Sequence, residues 1–204
     1  MSMAKRVNSP AKKKSPPRKK VVIKSPTVKR SPKERGLIVL DIDGTIIDTV
    51  SGDDKRPGRR KRIQQFEDHS IYGRPYAKQF IDWCMKKYDV GVWTFATGDY
   101  AVSVLKGFGY DPQDFVFFYT RDFPPPWNPS HDNEVKQIER IPTNHKKRVL
   151  IDDNTANVRV NEKTNRHPDI GAIQIKEYQV HKPGSSADNQ LLLIKEAICR
   201  KLGD

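Results

Sequence analysis

The stretch "GLIVLDIDGT", residues 36 to 45, sets an unbroken apolar run ahead of two aspartates, a glycine and a threonine. A short apolar run without alternation predicts a strand buried on both faces, as in the middle of a parallel sheet. Charge at the end of such a strand is costly unless it is paired or used. Asp41 and Asp43 stand two positions apart, so both point to one side if the chain stays extended. Gly44 lets the backbone turn sharply after them, and Thr45 can hydrogen-bond locally. An ordinary turn uses the same residue types, so the position directly behind a buried strand carries the reading.

Outward from there the chain alternates. "RPYAKQFIDWCMKKY" repeats apolar groups at helical spacing, "DVGVWTF" reads as a strand, and "DYAVSVLKGFG" as a helix closed by glycine. "FVFFY", "RVLID" and "GAIQI" read as further strands. "DNQLLLIKEAICRKLGD" reads as a last helix, with Asp188 as its N-cap and Gly203 just past its end. Strands alternating with helices predict an α/β domain, a Rossmann-like parallel sheet with helices on both faces. Sites in such sheets lie beyond the carboxyl ends of the strands.

The domain is expected over residues 36 to 204, because residues 1 to 35 differ in kind. That tail holds 13 Lys/Arg against one acid, whereas the rest holds 25 against 24, so +12 of the net +13 sits in the tail. Without aromatic residues and rich in proline, it cannot bury enough surface to offset its chain entropy, and is expected to be disordered. Four Ser-Pro pairs, at Ser9, Ser15, Ser25 and Ser31, resemble proline-directed kinase sites. "PAKKKSPPRKK" resembles a nuclear-import signal, and such a ribbon would also bind nucleic acid non-specifically. No apolar run suggests a membrane span or a signal peptide, and Cys84 and Cys199 offer neither a disulfide framework nor a zinc spacing. A soluble intracellular protein is expected, nuclear if the tail is an import signal and cytoplasmic otherwise.

Three more stretches put polar residues at or near strand ends. "VWTFATGDY" leaves Thr94 there, "NEVKQIERI" places Lys136 ahead of a strand, and "VLIDDN" ends that strand in Asp152 and Asp153. The series Asp-x-Asp, Thr, Lys, Asp-Asp is similar to that of the haloacid dehalogenase superfamily of phosphotransferases. Within it, "GRPYAKQFIDW", "VGVWTFATGDYA", the Arg121-Asp122 pair, and "VKQIERI" followed by "RVLIDDN" resemble the RNA polymerase II C-terminal-domain phosphatases, the NLI-interacting-factor-like branch. The compact form also looks like phosphatase-like proteins of large DNA viruses. Gly44 stands where a glutamate is usual in that branch.

An attacking carboxylate is repelled by an anionic phosphomonoester: one like-charge pair about 4 Å apart costs about 4 kcal/mol at an effective dielectric of about 20. Magnesium held by Asp41, the Asp43 backbone carbonyl and Asp153 would offset this, since a hard ion prefers oxygen ligands. The resemblance implies that Asp41 is the nucleophile and Asp43 the general acid and base. It further implies that Lys136 and Thr94 contact the phosphoryl group, with Asp152 orienting Lys136 or the metal shell.

The loop "RDFPPPWNPSHDN" falls where this branch places its substrate-binding insertion, which makes Trp127 and Arg121 candidate substrate contacts. "SGDDKRPGRRKRIQQF" is too short for a folded cap domain, which predicts a minimal cap and an open site suited to a large substrate. The resemblance therefore implies a magnesium-dependent phosphoserine/threonine phosphatase acting on a phosphoprotein, such as the C-terminal domain of RNA polymerase II. A 3′-phosphatase on DNA or RNA ends and a non-catalytic nucleic-acid-binding scaffold are the alternatives.

Overall fold

A computed structural model describes residues 35–52, 60–126, 135–162 and 168–203. The basic tail, the loop around Trp127 and part of the segment after the first site fall outside the described residues. In chain order the strands and helices are β1 (Leu37–Leu40), β2 (Ile47–Ser51), β3 (Gln64–Phe66), β4 (His69–Gly73), α1 (Ala77–Lys87) and β5 (Asp89–Trp93). Then follow α2 (Gly98–Phe108), β6 (Phe118–Tyr119), β7 (Arg148–Asp152), α3 (Thr155–Glu162), β8 (Ile170–Gln174) and α4 (Gln190–Leu202).

Five strands form a parallel sheet in the order β6-β5-β1-β7-β8. This is the expected α/β architecture, and β1 sits at its centre because all four of its residues are buried. Ile38 and Leu40 pack into the larger cluster with Phe80, Ile81, Leu105 and Ile198, from α1, α2 and α4. Leu37 and Val39 face the other way, against Ile138, Ile141 and Val158 of α3. Burial on both faces is why the strand reads as continuously apolar. The chain leaves β1 to build β5 and β6 on one side, then crosses to build β7 and β8 on the other. That order reverses at β1, and a crevice opens at the carboxyl ends of β1 and its neighbours.

The segment after the first site forms a three-stranded antiparallel sheet, β2-β4-β3, whose third strand packs on α2. Its strands are polar and part exposed, which hides them from a hydrophobic-pattern reading. Arg35 belongs structurally to the domain, since its guanidinium donates to the carbonyls of Met85, Lys86, Lys87 and Tyr88 at the end of α1. Gly109 and Gly203 close α2 and α4 in the left-handed conformation. Asp188, expected to cap α4, lies one residue ahead of the N-cap Asn189, and both its oxygens accept from Arg74. Tyr76, within the stretch expected to be helical, precedes α1 and is exposed. No helix among the described residues is long and apolar enough to cross a membrane.

Candidate active site

Backbone pairing of β1 with β7 brings the two acid-rich strand ends together. The Asp41 N–H donates to the Ile151 carbonyl at 3.1 Å, which sets Asp41 beside Asp152 and Asp153. Oxygens of these three carboxylates lie within 4.8 Å of one another. Lys136 arrives from the irregular segment ahead of β7 and is only 1% exposed. Its ammonium donates to Asp41 Oδ1 and, at 2.8 Å, to Asp152 Oδ2. The Thr45 hydroxyl sits 3.2 Å from both Asp41 Oδ2 and Asp153 Oδ1, bridging the acids of two strands. Residues 95 positions apart in the chain thus share one buried charge cluster.

Three carboxylates around one ammonium leave a net charge of −2 when all are ionised. Burial resists that charge and pushes Asp41 up to about 7, with Lys136 pulling it down and Asp152 adding to the rise. Burial also raises Asp153, reinforced by Asp152. Burial acts against the Lys136 charge too, yet the Asp41 and Asp152 carboxylates outweigh it and hold the ammonium above its usual value. Lysine therefore stays charged while the acids remain under-compensated. An oxygen-only donor set with residual negative charge suits a hard divalent cation, and Asp41, Asp152 and Asp153 could hold one.

A cleft of about 400 Å³ opens over this cluster, with Thr94, Asp43 and Arg121 in its walls. Thr94 is buried at the end of β5, and its Oγ accepts the Ala96 N–H, which leaves its proton to donate into the cleft. Arg121 is held at the rim by an Nε bond to the Phe95 carbonyl at 2.9 Å. Asp43 accepts from the Tyr100 hydroxyl at 2.6 Å, and that hydroxyl in turn lies 2.6 Å from Thr49 Oγ1. Since Tyr100 donates to Asp43, Thr49 is the donor to Tyr100, and a relay runs from β2 through α2 to the acid. Burial raises the Asp43 pKa, offset in part by Tyr100 and Lys136. Trp127 lies outside the described residues.

Sequence reasoning overlooked Tyr100, which there looked like one more aromatic of a packed helix. It also overlooked Arg74, only 2% exposed, whose guanidinium donates to the Thr45 carbonyl at 3.0 Å and pairs with Asp188. The buried ion pair ties the turn after Asp43 to the C-terminal segment. A second hollow, of about 320 Å³, surrounds His145 and Arg148. The Arg148 guanidinium there already donates to five carbonyls, and His145 is paired with Asp89.

A family model for NLI interacting factor-like phosphatases matches residues 36–202. The chain belongs to the NLI interacting factor-like phosphatase family. It is 39% identical over 92 residues to the putative CTD phosphatase-like protein 355R of Invertebrate iridescent virus 3, which covers 41% of this chain and 49% of that one. The chain therefore spans about half the length of that curated relative. Among solved structures it is similar to Fcp1, an essential RNA polymerase II CTD phosphatase, at 20% identity and a TM-score of 0.46, covering 81% of this chain and 51% of that one. It is also similar to the HAD domain of effector protein Lem4 from Legionella pneumophila, at 15% identity and a TM-score of 0.46, over 82% and 95% of the two chains.

Against the expected pattern of this phosphatase family, the glycine at position 44 has a local cause. Gly44 adopts φ +69°, and a Cβ there would lie 2.7 Å from Asp153 Oδ2 and 2.9 Å from its Cγ. Any side chain at this position must displace the carboxylate. Gly44→Ala is expected to lose about 1 to 2 kcal/mol of stability from the left-handed backbone and to weaken activation by a divalent ion about tenfold or more. Thermal unfolding together with a metal-activation curve would measure both, and an unchanged activation curve would show that Asp153 needs no such clearance.

Proposed function

We propose that this chain is a magnesium-dependent phosphoserine/phosphothreonine protein phosphatase that works through an aspartyl-phosphate on Asp41. The observation that supports it most is the convergence of Asp41, Lys136 and Asp153 at the carboxyl ends of β1 and β7, with a net charge that a divalent cation would neutralise. Asp41, Asp153 and the Asp43 backbone carbonyl would hold magnesium, which when bound withdraws charge from the phosphoryl oxygens.

The remaining steps belong to the protein. A carboxylate oxygen of Asp41 attacks phosphorus while the phosphorus–oxygen bond to the seryl oxygen breaks. Asp43, whose burial favours its protonated form, gives its proton to the leaving oxygen. Tyr100 keeps that carboxyl turned into the cleft. Lys136 and the Thr94 hydroxyl meet the charge on the phosphoryl oxygens as it develops. Asp43, now a carboxylate, accepts a proton from the water that cleaves the aspartyl-phosphate, and inorganic phosphate leaves.

A protein substrate fits a cleft over which the described residues place no cap domain. The names of the viral relative and of Fcp1 make the RNA polymerase II C-terminal domain the first phosphoprotein to try. Hydrolysis of a phosphoserine heptad peptide, a 3′-phosphorylated oligonucleotide and an aryl phosphate, each with and without magnesium, tests the reading. Preference for the oligonucleotide would replace it with an end-processing phosphatase, and no turnover beyond that of Asp41→Asn would replace it with a scaffold.

Metal dependence carries a pH signature. Metal-free Asp41 holds a proton up to about pH 7, so proton and cation compete for one carboxylate. Below that pH the half-activating magnesium concentration should rise, approaching tenfold per unit, and above it should level off. A half-activating concentration independent of pH between 5.5 and 8 would show that Asp41 ionises freely before the ion arrives.

A further inference from the structure

We infer that Asn157 and Asn161 on α3 are positioning residues for the reaction, holding the backbone of Lys136 and through it the ammonium beside Asp41. Lys136 belongs to no strand or helix, so its buried peptide groups find no ladder to join and need other partners. The asparagines supply them. Asn157 Oδ1 accepts the Lys136 N–H at 3.0 Å, Asn161 Nδ2 donates to the Lys136 carbonyl, and Asn161 Oδ1 accepts the Ile138 N–H at 3.0 Å. Four residues apart, they share one face of the helix, and both are buried, at 1% and 2% exposure.

Burying two amides that could have been apolar is expensive unless every group is matched, which makes the arrangement informative. Asn157 has a further contact that a packing role does not require. Its Nδ2 donates at 3.0 Å to Asp152 Oδ2, the oxygen that also receives the Lys136 ammonium at 2.8 Å. One side chain therefore steadies the lysine at both ends, at its peptide nitrogen and at the acid that receives its tip. A lysine stem is flexible and would otherwise swing away from Asp41. Displacement of about 1 Å in a catalytic group can cost about a hundredfold in rate.

The inference rests on the role proposed for Lys136, and a double-mutant cycle separates the two. Asn157→Ala and Asn161→Ala are each made alone and with Lys136→Met, and hydrolysis of an aryl phosphate is followed with saturating magnesium. Each single substitution should lower kcat about 10- to 100-fold with KM changed less than about twofold. In the Lys136→Met background the same substitutions should lower kcat by less than about twofold, because the group they position is gone. Equal losses in both backgrounds would overturn the inference and show a general structural role. Lys136→Met at wild-type kcat would overturn the role of the lysine itself. Should an alanine variant fail to fold, Asn157→Ser, which keeps a polar group but lacks both the Oδ1 and Nδ2 positions, runs the same cycle.

Discussion

Replacement of Asp41 by asparagine is expected to lower phosphopeptide hydrolysis about 10⁴-fold or more while leaving the fold intact. The amide has the carboxylate's shape: its oxygen can still accept from Lys136, and its Nδ2–H can donate to the Thr45 hydroxyl, which keeps its own proton for Asp153, so the side chain stays seated. Burial already disfavours the Asp41 charge, so its removal relieves a desolvation cost. What the amide cannot do is attack phosphorus and carry a phosphoryl group. A phosphoenzyme trapped by acid quench should appear with wild-type protein and be absent from the variant, with circular dichroism unchanged. Activity above about one per cent of wild type would mean that water attacks directly, and Asp41 would then be a ligand or an electrostatic anchor and not the nucleophile.

The elements that position this site differ in how openly the sequence displays them. The strand ends were legible because β1 and β7 are buried on both faces, so their apolar runs stop abruptly where the acids begin. The family pattern then named Lys136, which local composition alone would leave among many surface lysines. α3 was missed because it is eight residues long and spends two positions of its buried face on Asn157 and Asn161. An apolar-period search reads those positions as solvent-facing. Arg74 hides for the same reason: a buried arginine looks exposed in sequence until its carbonyl partners are known. Tyr100 shows the opposite case, an aromatic that fits an apolar helix face but directs its hydroxyl to Asp43. A useful signal was present in "DDNTANVRVN", where Asn157 and Asn161, four apart, come shortly after the acid pair.

Several of these overlooked residues have a shared physical task. Lys136 and Asp153 lie on irregular backbone, and Asp43 joins only a single isolated bridge to Ile47, so none of the three is held by a sheet ladder. Side chains replace the ladder: Arg74 binds the turn after Asp43, Thr45 spans Asp41 and Asp153, and the two asparagines bind the segment of Lys136. The sheet brings the polar groups near one another, and these buried bonds set their final geometry. The family pattern identifies the chemical groups but is silent on the groups that aim them.

Lys136→Met should lower kcat about 10²- to 10³-fold, the range for loss of a charge aimed at a transition state. Methionine keeps the stem's volume, so a cavity does not confuse the result. Without the ammonium, Asp41 and Asp152 face each other with no counter-ion, so Asp41 keeps its proton to higher pH, and only at a pH that ionises it, where the comparison is made, is the crevice more negative by one charge. Magnesium should therefore be bound at least as tightly as in wild type, even though turnover falls. That opposite movement separates loss of phosphoryl stabilisation from loss of the metal site, which would weaken activation and turnover together. Lys136→Arg should not restore the rate, because the lysine side chain is buried beneath the cleft and the Phe95 ring lies 5.3 Å from the ammonium, which leaves little room for a planar guanidinium. A Lys136→Met variant within tenfold of wild type would mean that phosphoryl charge is met elsewhere. Arg121, tethered at the rim of the same cleft, would then be the group to remove next, and the double variant would show whether one cation stands in for the other.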